Sequence, residues 1–131
     1  MIYRELGTSG IKAPAVIFGA WAIGGWYWGP ADDDAAVDAI HSAIDSGITM
    51  VDTAPMYGCG HSEETVGRAL RDRRDKALVA TKCGLRWDLE QGAFHFKTTV
   101  RGLGDITVYK NLHPESIKLE CERSLKRLQT D

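Results

Sequence analysis

The chain has 131 residues, with 16 Lys and Arg against 18 Asp and Glu, for a formal net charge of -2. With 44% hydrophobic and 26% charged residues, a mean hydropathy of -0.24 and a pI near 6.1, the composition is that of an ordinary globular protein of one domain at most. Disordered and fibrous classes are excluded. The charge balance, without any Lys/Arg block, argues against nucleic-acid binding, which rests on phosphate neutralisation, and no apolar run is long enough to span a bilayer.

The opening Met1-Ile2-Tyr3-Arg4-Glu5 carries an acid and a base before any apolar stretch, so no secretory signal or transit peptide is visible. Three cysteines, Cys59, Cys83 and Cys121, suit a reducing compartment better than a disulfide framework, and a cytoplasmic location is expected.

Residues 1–20 place short runs around Gly7-Thr8-Ser9-Gly10, a turn that predicts a hairpin. The run Ala15-Val16-Ile17-Phe18-Gly19-Ala20 is nearly all apolar, as a strand buried on both faces is. After the aromatic, glycine-rich stretch Trp21 to Pro30, the acids Asp32, Asp33 and Asp34 mark a helix start. Ala36, Val37, Ile40, Ala43 and Ile44 then recur at helical spacing up to a stop at Gly47. Ile48 to Asp52 reads as a strand. Ser62 reads as the N-cap of a second helix, with Glu63 and Glu64 in its first turn and Val66, Ala69 and Leu70 on one face. Ala77 to Lys82 predicts a third buried strand. Cys83 to Leu112 has no helical period and reads as a long loop, unusual in a compact domain unless functional. Pro114 takes the N1 position of a last helix with an apolar stripe of Ile117, Cys121, Leu125 and Leu128. This alternation predicts an α/β fold with a parallel sheet.

Asp52 closes one predicted strand, Tyr57 follows in the loop, and Lys82 closes the next strand. Three ionisable groups thus gather at the carboxyl edge of one sheet, where parallel α/β proteins place their active sites. A phenol, with an ordinary pKa of about 10, is a poor acid at neutral pH unless a cation favours its phenolate. Lys82 is such a cation, and Asp52 would pair with it and hold it aimed. Tyr57 could then give a proton to the alkoxide that develops when hydride reduces a carbonyl. The plainer reading stands beside this one: a strand-end Asp often caps a turn and a strand-end Lys is often just solvated.

The stretch Asp52-Thr53-Ala54-x-x-Tyr57-Gly58-x-Gly60-x-Ser62-Glu63-x-x-x-Gly67-x-Ala69-Leu70 resembles the signature of the aldo-keto reductase family. Tyr3-Arg4-x-Leu6-Gly7-x-Ser9-Gly10, followed by Phe18-Gly19-Ala20-Trp21, resembles that family's start. The resemblance implies a (β/α)8 TIM barrel with an N-terminal β-hairpin cap, and a nicotinamide cofactor bound without a Rossmann fold. It further implies reduction of a small-molecule aldehyde or ketone to an alcohol by a tetrad of Asp, Tyr, Lys and His. Asp52, Tyr57 and Lys82 match the first three, with Tyr57 as general acid, and no residue matches the histidine. Gly19, Ala20 and Trp21 match the first-strand loop that lies against cofactor and substrate, and Asp52 joins them. NADPH is the cofactor implied, on the resemblance alone.

A full barrel takes roughly 250 residues, so about three βα units are expected here. Residues 1–131 are read as one incomplete domain, the N-terminal portion of such a barrel. Isolated, it is expected to be unstable or associated through an uncovered sheet edge, and inactive or nearly so. A rival reading is a regulatory barrel subunit that binds a nicotinamide cofactor and a protein partner; the intact Asp52, Tyr57 and Lys82 set disfavours it.

Trp26, Tyr27 and Trp28 read either as the lining of an apolar substrate pocket or as loop packing. Cys59 and His61 lack a further ligand pair at zinc spacing, so no metal is expected. His41, His95 and His113 match no tetrad position, and Cys83 reads as a small buried thiol.

Overall fold

A computed structural model describes residues 1–131. Strands β1 (Tyr3–Glu5) and β2 (Lys12–Pro14) form the expected antiparallel hairpin. Its turn is tied by Ser9 Oγ, which donates to Leu6 O at 2.7 Å, and by Glu5, which accepts from the Gly10 N–H at 3.0 Å.

Three parallel strands follow, β3 (Phe18–Gly19), β4 (Met50–Asp52) and β5 (Leu78–Ala80), in the order β3-β4-β5. Gly19 stands opposite Asp52, and Asp52 opposite Ala80, so the strand ends that matter are level with one another. The burial expected of the outer strands is only partly met. Val16 and Ile17 are 55% and 46% exposed, and β5 is half-buried throughout, because both flank the sheet as edges rather than lying inside it.

Helix α1 (Asp33–Asp45) starts at an Asp32 cap whose carboxylate accepts from the N–H groups of Asp34 and Ala35. It buries Ile40, Ala43 and Ile44, as the spacing requires. Helix α2 (His61–Leu70) packs against α1 and against α3 (Pro114–Leu128). Their inner faces meet Val51 of β4 in one core of Ala20, Ile40, Ile44, Val66, Leu70 and Leu128. Each large side chain there contributes about 1.5–3 kcal/mol by leaving water. The end of α3 comes so close to α2 that a Cβ on Gly67 would lie 2.6 Å from Arg127 O, so this position has room for glycine alone.

Two expectations need correction. The buried stripe of α3 is Ser116, Glu120, Ser124 and Leu128, while Ile117 and Cys121 are exposed. The helix turns its polar side inward because hydrogen-bonding groups of the segment after β5 await it there, as described below. Residues 83–112 are also not a loop. Strands β6 (Leu85–Arg86), β7 (Ala93–Val100) and β8 (Gly104–Lys110) form an antiparallel sheet in the order β6-β8-β7. A register shift between Phe94 and Phe96 sets Phe94 opposite Tyr109 but Phe96 opposite Val108. The two phenylalanines therefore face opposite sides of this arm, although strict alternation would put them on one. No helix is long and apolar enough to cross a membrane.

Candidate active site

The carboxyl ends of β4 and β5 bring Asp52 and Lys82 together. The Lys82 ammonium donates to both carboxylate oxygens of Asp52, at 2.9 and 2.8 Å, and to Thr53 O at 2.7 Å. Its Nζ lies 4.7 Å from the centre of the Tyr57 ring. Burial pulls the lysine pKa down, but the Asp52 carboxylate bonded to it, and then the Tyr57 phenol beside it, outweigh that pull. Lys82 is held above the ordinary lysine value. The three groups that the sequence singles out are thus one contiguous cluster.

Tyr57 is fixed from several sides. Trp21 stacks on it with ring centres 5.9 Å apart and planes 25° apart, and Trp28 meets Trp21 edge to face. Behind it, the backbones of Gly24 and Gly58 run in direct contact: a Cβ on either would collide with the other strand of chain. Gly58 also holds φ at +65°, a conformation that favours glycine. The 21–30 loop can approach the Tyr57 backbone only because both positions lack side chains.

Of the first-strand residues, Gly19 and Trp21 are exposed at the mouth of the cluster. Ala20 has no exposed surface; its N–H donates to Asp52 O at 2.8 Å and its carbonyl accepts from Ser62 Oγ at 2.8 Å. It stands behind the wall and holds it.

A cavity of about 230 Å³ opens beside the cluster, lined in the main by Trp21, Trp26, Met56, Tyr57, Leu85 and Phe96, with Lys82 and Cys83 at its polar end. Trp26 lines it, whereas Tyr27 and Trp28 are 73% and 63% exposed. The far wall is the antiparallel arm. Trp26 stacks on Phe96 at 5.9 Å, and its Nε1–H donates to Thr98 Oγ1 at 3.2 Å. Sequence reading misses Phe96 and Leu85, because the segment carrying them shows no period that ties it to the sheet.

Ser62 does not cap α2. That place belongs to Gly60, and Ser62 lies wholly buried inside the first turn. Glu63 is equally buried, while Glu64 alone of the pair is exposed. Cys83 is exposed rather than buried. The Cys59 thiol is pushed up to about 11, by burial first and by the Asp88 charge second. His61 bonds Asp33 at 2.8 Å, His41 bonds Ala69 O at 2.8 Å, and no group of side chains is arranged to hold a metal.

Residues 15–131 match the Aldo/keto reductase family profile. The chain belongs to the aldo/keto reductase family. The NADH-specific methylglyoxal reductase of Escherichia coli is 42% identical over 132 residues, which take in 96% of this chain and 38% of that protein. Among solved structures, the glycerol dehydrogenase of Gluconobacter oxydans superposes with a TM-score of 0.77 at 43% identity, over 98% of this chain and 36% of that one. An aldo-keto reductase of Klebsiella pneumoniae in complex with NADPH gives a TM-score of 0.63 at 30% identity, over 92% of this chain and 33% of that one. The chain spans 35% and 38% of the length of two curated relatives it matches. As an aldo-keto reductase chain, it is α/β, and its parallel sheet with flanking helices is a partial TIM barrel. The family's members are oxidoreductases that bind nicotinamide coenzymes.

Proposed function

We propose that the protein reduces a small-molecule aldehyde or ketone to the alcohol with NADPH in the cytoplasm, using Tyr57 as proton donor and Lys82 and Asp52 as its supports. The observation that carries this reading is the Lys82 ammonium, gripped by both oxygens of Asp52 and aimed at the Tyr57 ring. A fixed positive charge beside a phenol stabilises the phenolate left when the proton departs, which is the condition for a tyrosine to act as an acid near neutral pH. The bond balance is simple: the carbonyl carbon gains a hydride, the C=O π pair becomes the oxygen's lone pair, and Tyr57 protonates that oxygen.

The residues present fit a nicotinamide coenzyme. Gly19 ends β3 level with Asp52 across the strand register, and the exposed Trp21 follows two residues on. Gly19, Trp21 and Asp52 would face the coenzyme, with Ala20 holding them from behind. When bound, the coenzyme supplies the hydride and takes up the oxidation. NADPH is favoured by the likeness to the NADPH-bound Klebsiella structure; the Escherichia coli relative is named for NADH. The cytoplasmic location rests on three unpaired thiols. By the family resemblance the activity would be that of a complete barrel, in which further strands would pair the edges β3 and β5 and a histidine would join Asp52, Tyr57 and Lys82.

The test is coenzyme oxidation by the full-length protein with a panel of aldehydes and ketones, NADPH and NADH run in parallel. Turnover with NADPH, reduced by roughly 10²–10⁴-fold in Tyr57→Phe, is the expected result. Coenzyme binding without turnover on any carbonyl overturns the reading in favour of a regulatory subunit.

A further inference from the structure

Two adjacent residues at the start of α2, Ser62 and Glu63, are wholly buried, and neither contributes an atom to the cavity wall. A buried carboxylate is costly unless it is fully partnered, and the partners of Glu63 are specific. Its Oε1 accepts from Thr81 Oγ1 at 2.6 Å, and its Oε2 accepts from Arg127 Nε at 2.6 Å. Thr81 immediately precedes Lys82. Ser62 Oγ donates to Ala20 O and lies 3.0 Å from Thr53 Oγ1, and the Ser62 N–H donates to Tyr57 O at 3.2 Å. Thr53 immediately follows Asp52.

One helical turn thus holds the neighbour of each partner in the Asp52–Lys82 pair, and the backbone of Tyr57 as well. Simple helix capping does not account for this. A cap satisfies its own helix's N–H groups, whereas these side chains are spent on the ends of β3, β4 and β5. Nor is packing enough, because an apolar pair would fill the same space without fixing hydrogen-bond directions. Arg127 of α3 holds Glu63 from the far side, and Gly60, where a Cβ would meet the Arg127 side chain, leaves it room.

We infer that the Ser62–Glu63 step is a positioning element that sets the mutual register of Asp52, Lys82 and Tyr57 through Thr53 and Thr81. The inference rests on the reading of Tyr57 as proton donor, and it deepens that reading. Neither residue touches the reacting atoms; each acts through the residue next to one that does. Proton transfer is sensitive to sub-ångström placement, so loosening one tether should slow the chemical step and leave binding largely alone.

The informative variant is Thr81→Val in the full-length protein, because valine keeps the shape and β-branching of threonine while removing only the hydroxyl that reaches Glu63. Thr81→Ser restores the hydroxyl and serves as the rescue. The expected result is a fall in kcat of about tenfold in Thr81→Val, with coenzyme Kd and carbonyl KM within about twofold of wild type, and recovery in Thr81→Ser. A second readout needs no turnover. Side-chain 13Cε NMR of uniformly 13C-labelled protein follows the unmodified Lys82 ammonium, and its titration should move toward the ordinary lysine value in Thr81→Val and return in Thr81→Ser.

Two outcomes overturn the inference: a Thr81→Val enzyme with unchanged kcat and Lys82 titration, or one that loses thermal stability while the Lys82 titration stays in place. If the wild type oxidises no coenzyme, the proposed function fails by itself, and the Lys82 titration still decides whether the tether exists. Ser62→Ala gives the independent check on the Asp52 side and is expected to lower kcat in the same manner.

Discussion

The parallel sheet and the antiparallel arm divide the work of the site unequally. The parallel strands are only two or three residues long, yet their ends carry the charged pair, the tyrosine loop and the buried tethers. The arm has the longest strands in the molecule, β7 and β8 with eight and seven residues, but within those two only Val100 and Val108 are buried. It gives the cavity two apolar residues, Leu85 and Phe96, and no charge. On the proposed reading, the partnered polar groups sit where proton transfer needs fixed geometry, and the arm supplies the apolar wall that a substrate would meet. Loops and insertions on a fixed scaffold are where selectivity varies most readily.

The strongest way to break this division is at the root of the arm. Arg86 is 3% exposed; it donates to both oxygens of Asp88, at 2.8 and 2.9 Å, and to Ser116 Oγ at 2.7 Å. Ser116 and the Gly84 N–H both donate to Glu120, and Arg123 also pairs with Asp88. Removing the buried guanidinium takes two hydrogen bonds from Asp88, which keeps only Arg123, and one from Ser116, so Arg86→Ala is expected to cost roughly 1.5–3 kcal/mol, read as thermal or urea unfolding of the full-length protein. Hydrogen exchange should show β6 and β8 loosening first. A loss below about 1 kcal/mol would mean that the arm is held by its strand pairing alone.

A smaller effect is expected at the middle of the arm. Trp26→Leu keeps an apolar side chain in the cavity but loses the ring stack on Phe96 and the hydrogen bond to Thr98. An aromatic pair and a neutral hydrogen bond together are worth about 1–2 kcal/mol. Carbonyl KM should rise about tenfold, with kcat and coenzyme affinity nearly unchanged. A drop in kcat with KM intact would place Trp26 with the charged cluster instead of the wall.

The same division separates what the sequence reveals from what it conceals. Ile40, Ala43 and Ile44 show the 3.6 period of α1, and Asp52, Tyr57 and Lys82 stand out because strand ends in an alternating α/β chain lie on one edge. The arm escapes notice because its strands face water on much of both sides and lack the apolar alternation that marks a half-buried strand. The irregularity at Phe94 and Phe96 removes the remaining parity signal. The burial of Glu63 and Glu120 goes unseen for another reason. Carboxylates on a helix face are ordinarily solvated, and only the positions of Thr81, Arg127, Gly84 and Ser116 in space show that these two are enclosed. The buried face of α3 is concealed in the same way, since partners fixed by tertiary structure outweigh the apolar spacing of Ile117 and Cys121.

The pH dependence of the two regions should differ in sign, with the smallest effect of the three. Burial raises the Asp88 carboxyl, but Arg86 and Arg123 pull it down further, and it ends below the ordinary aspartate value. A group whose folded pKa is depressed contributes stability that is complete above its unfolded value and is lost as pH falls through the folded one. Lys82 is raised, so its contribution is complete below the ordinary lysine value and is lost as pH climbs through the folded one. Acid should therefore release the root of the arm, at pH values below about 4, and alkali should loosen the strand-end pair, at values above about 10. Both groups are partly open to solvent, so each limb should be shallow. Hydrogen exchange across the pH range, with Asp88→Asn alongside, separates them. That variant should flatten the acid limb in β6 and leave the alkaline limb near β4 and β5 in place. An acid limb unchanged by Asp88→Asn would show that another carboxylate, not the arm's root, yields first.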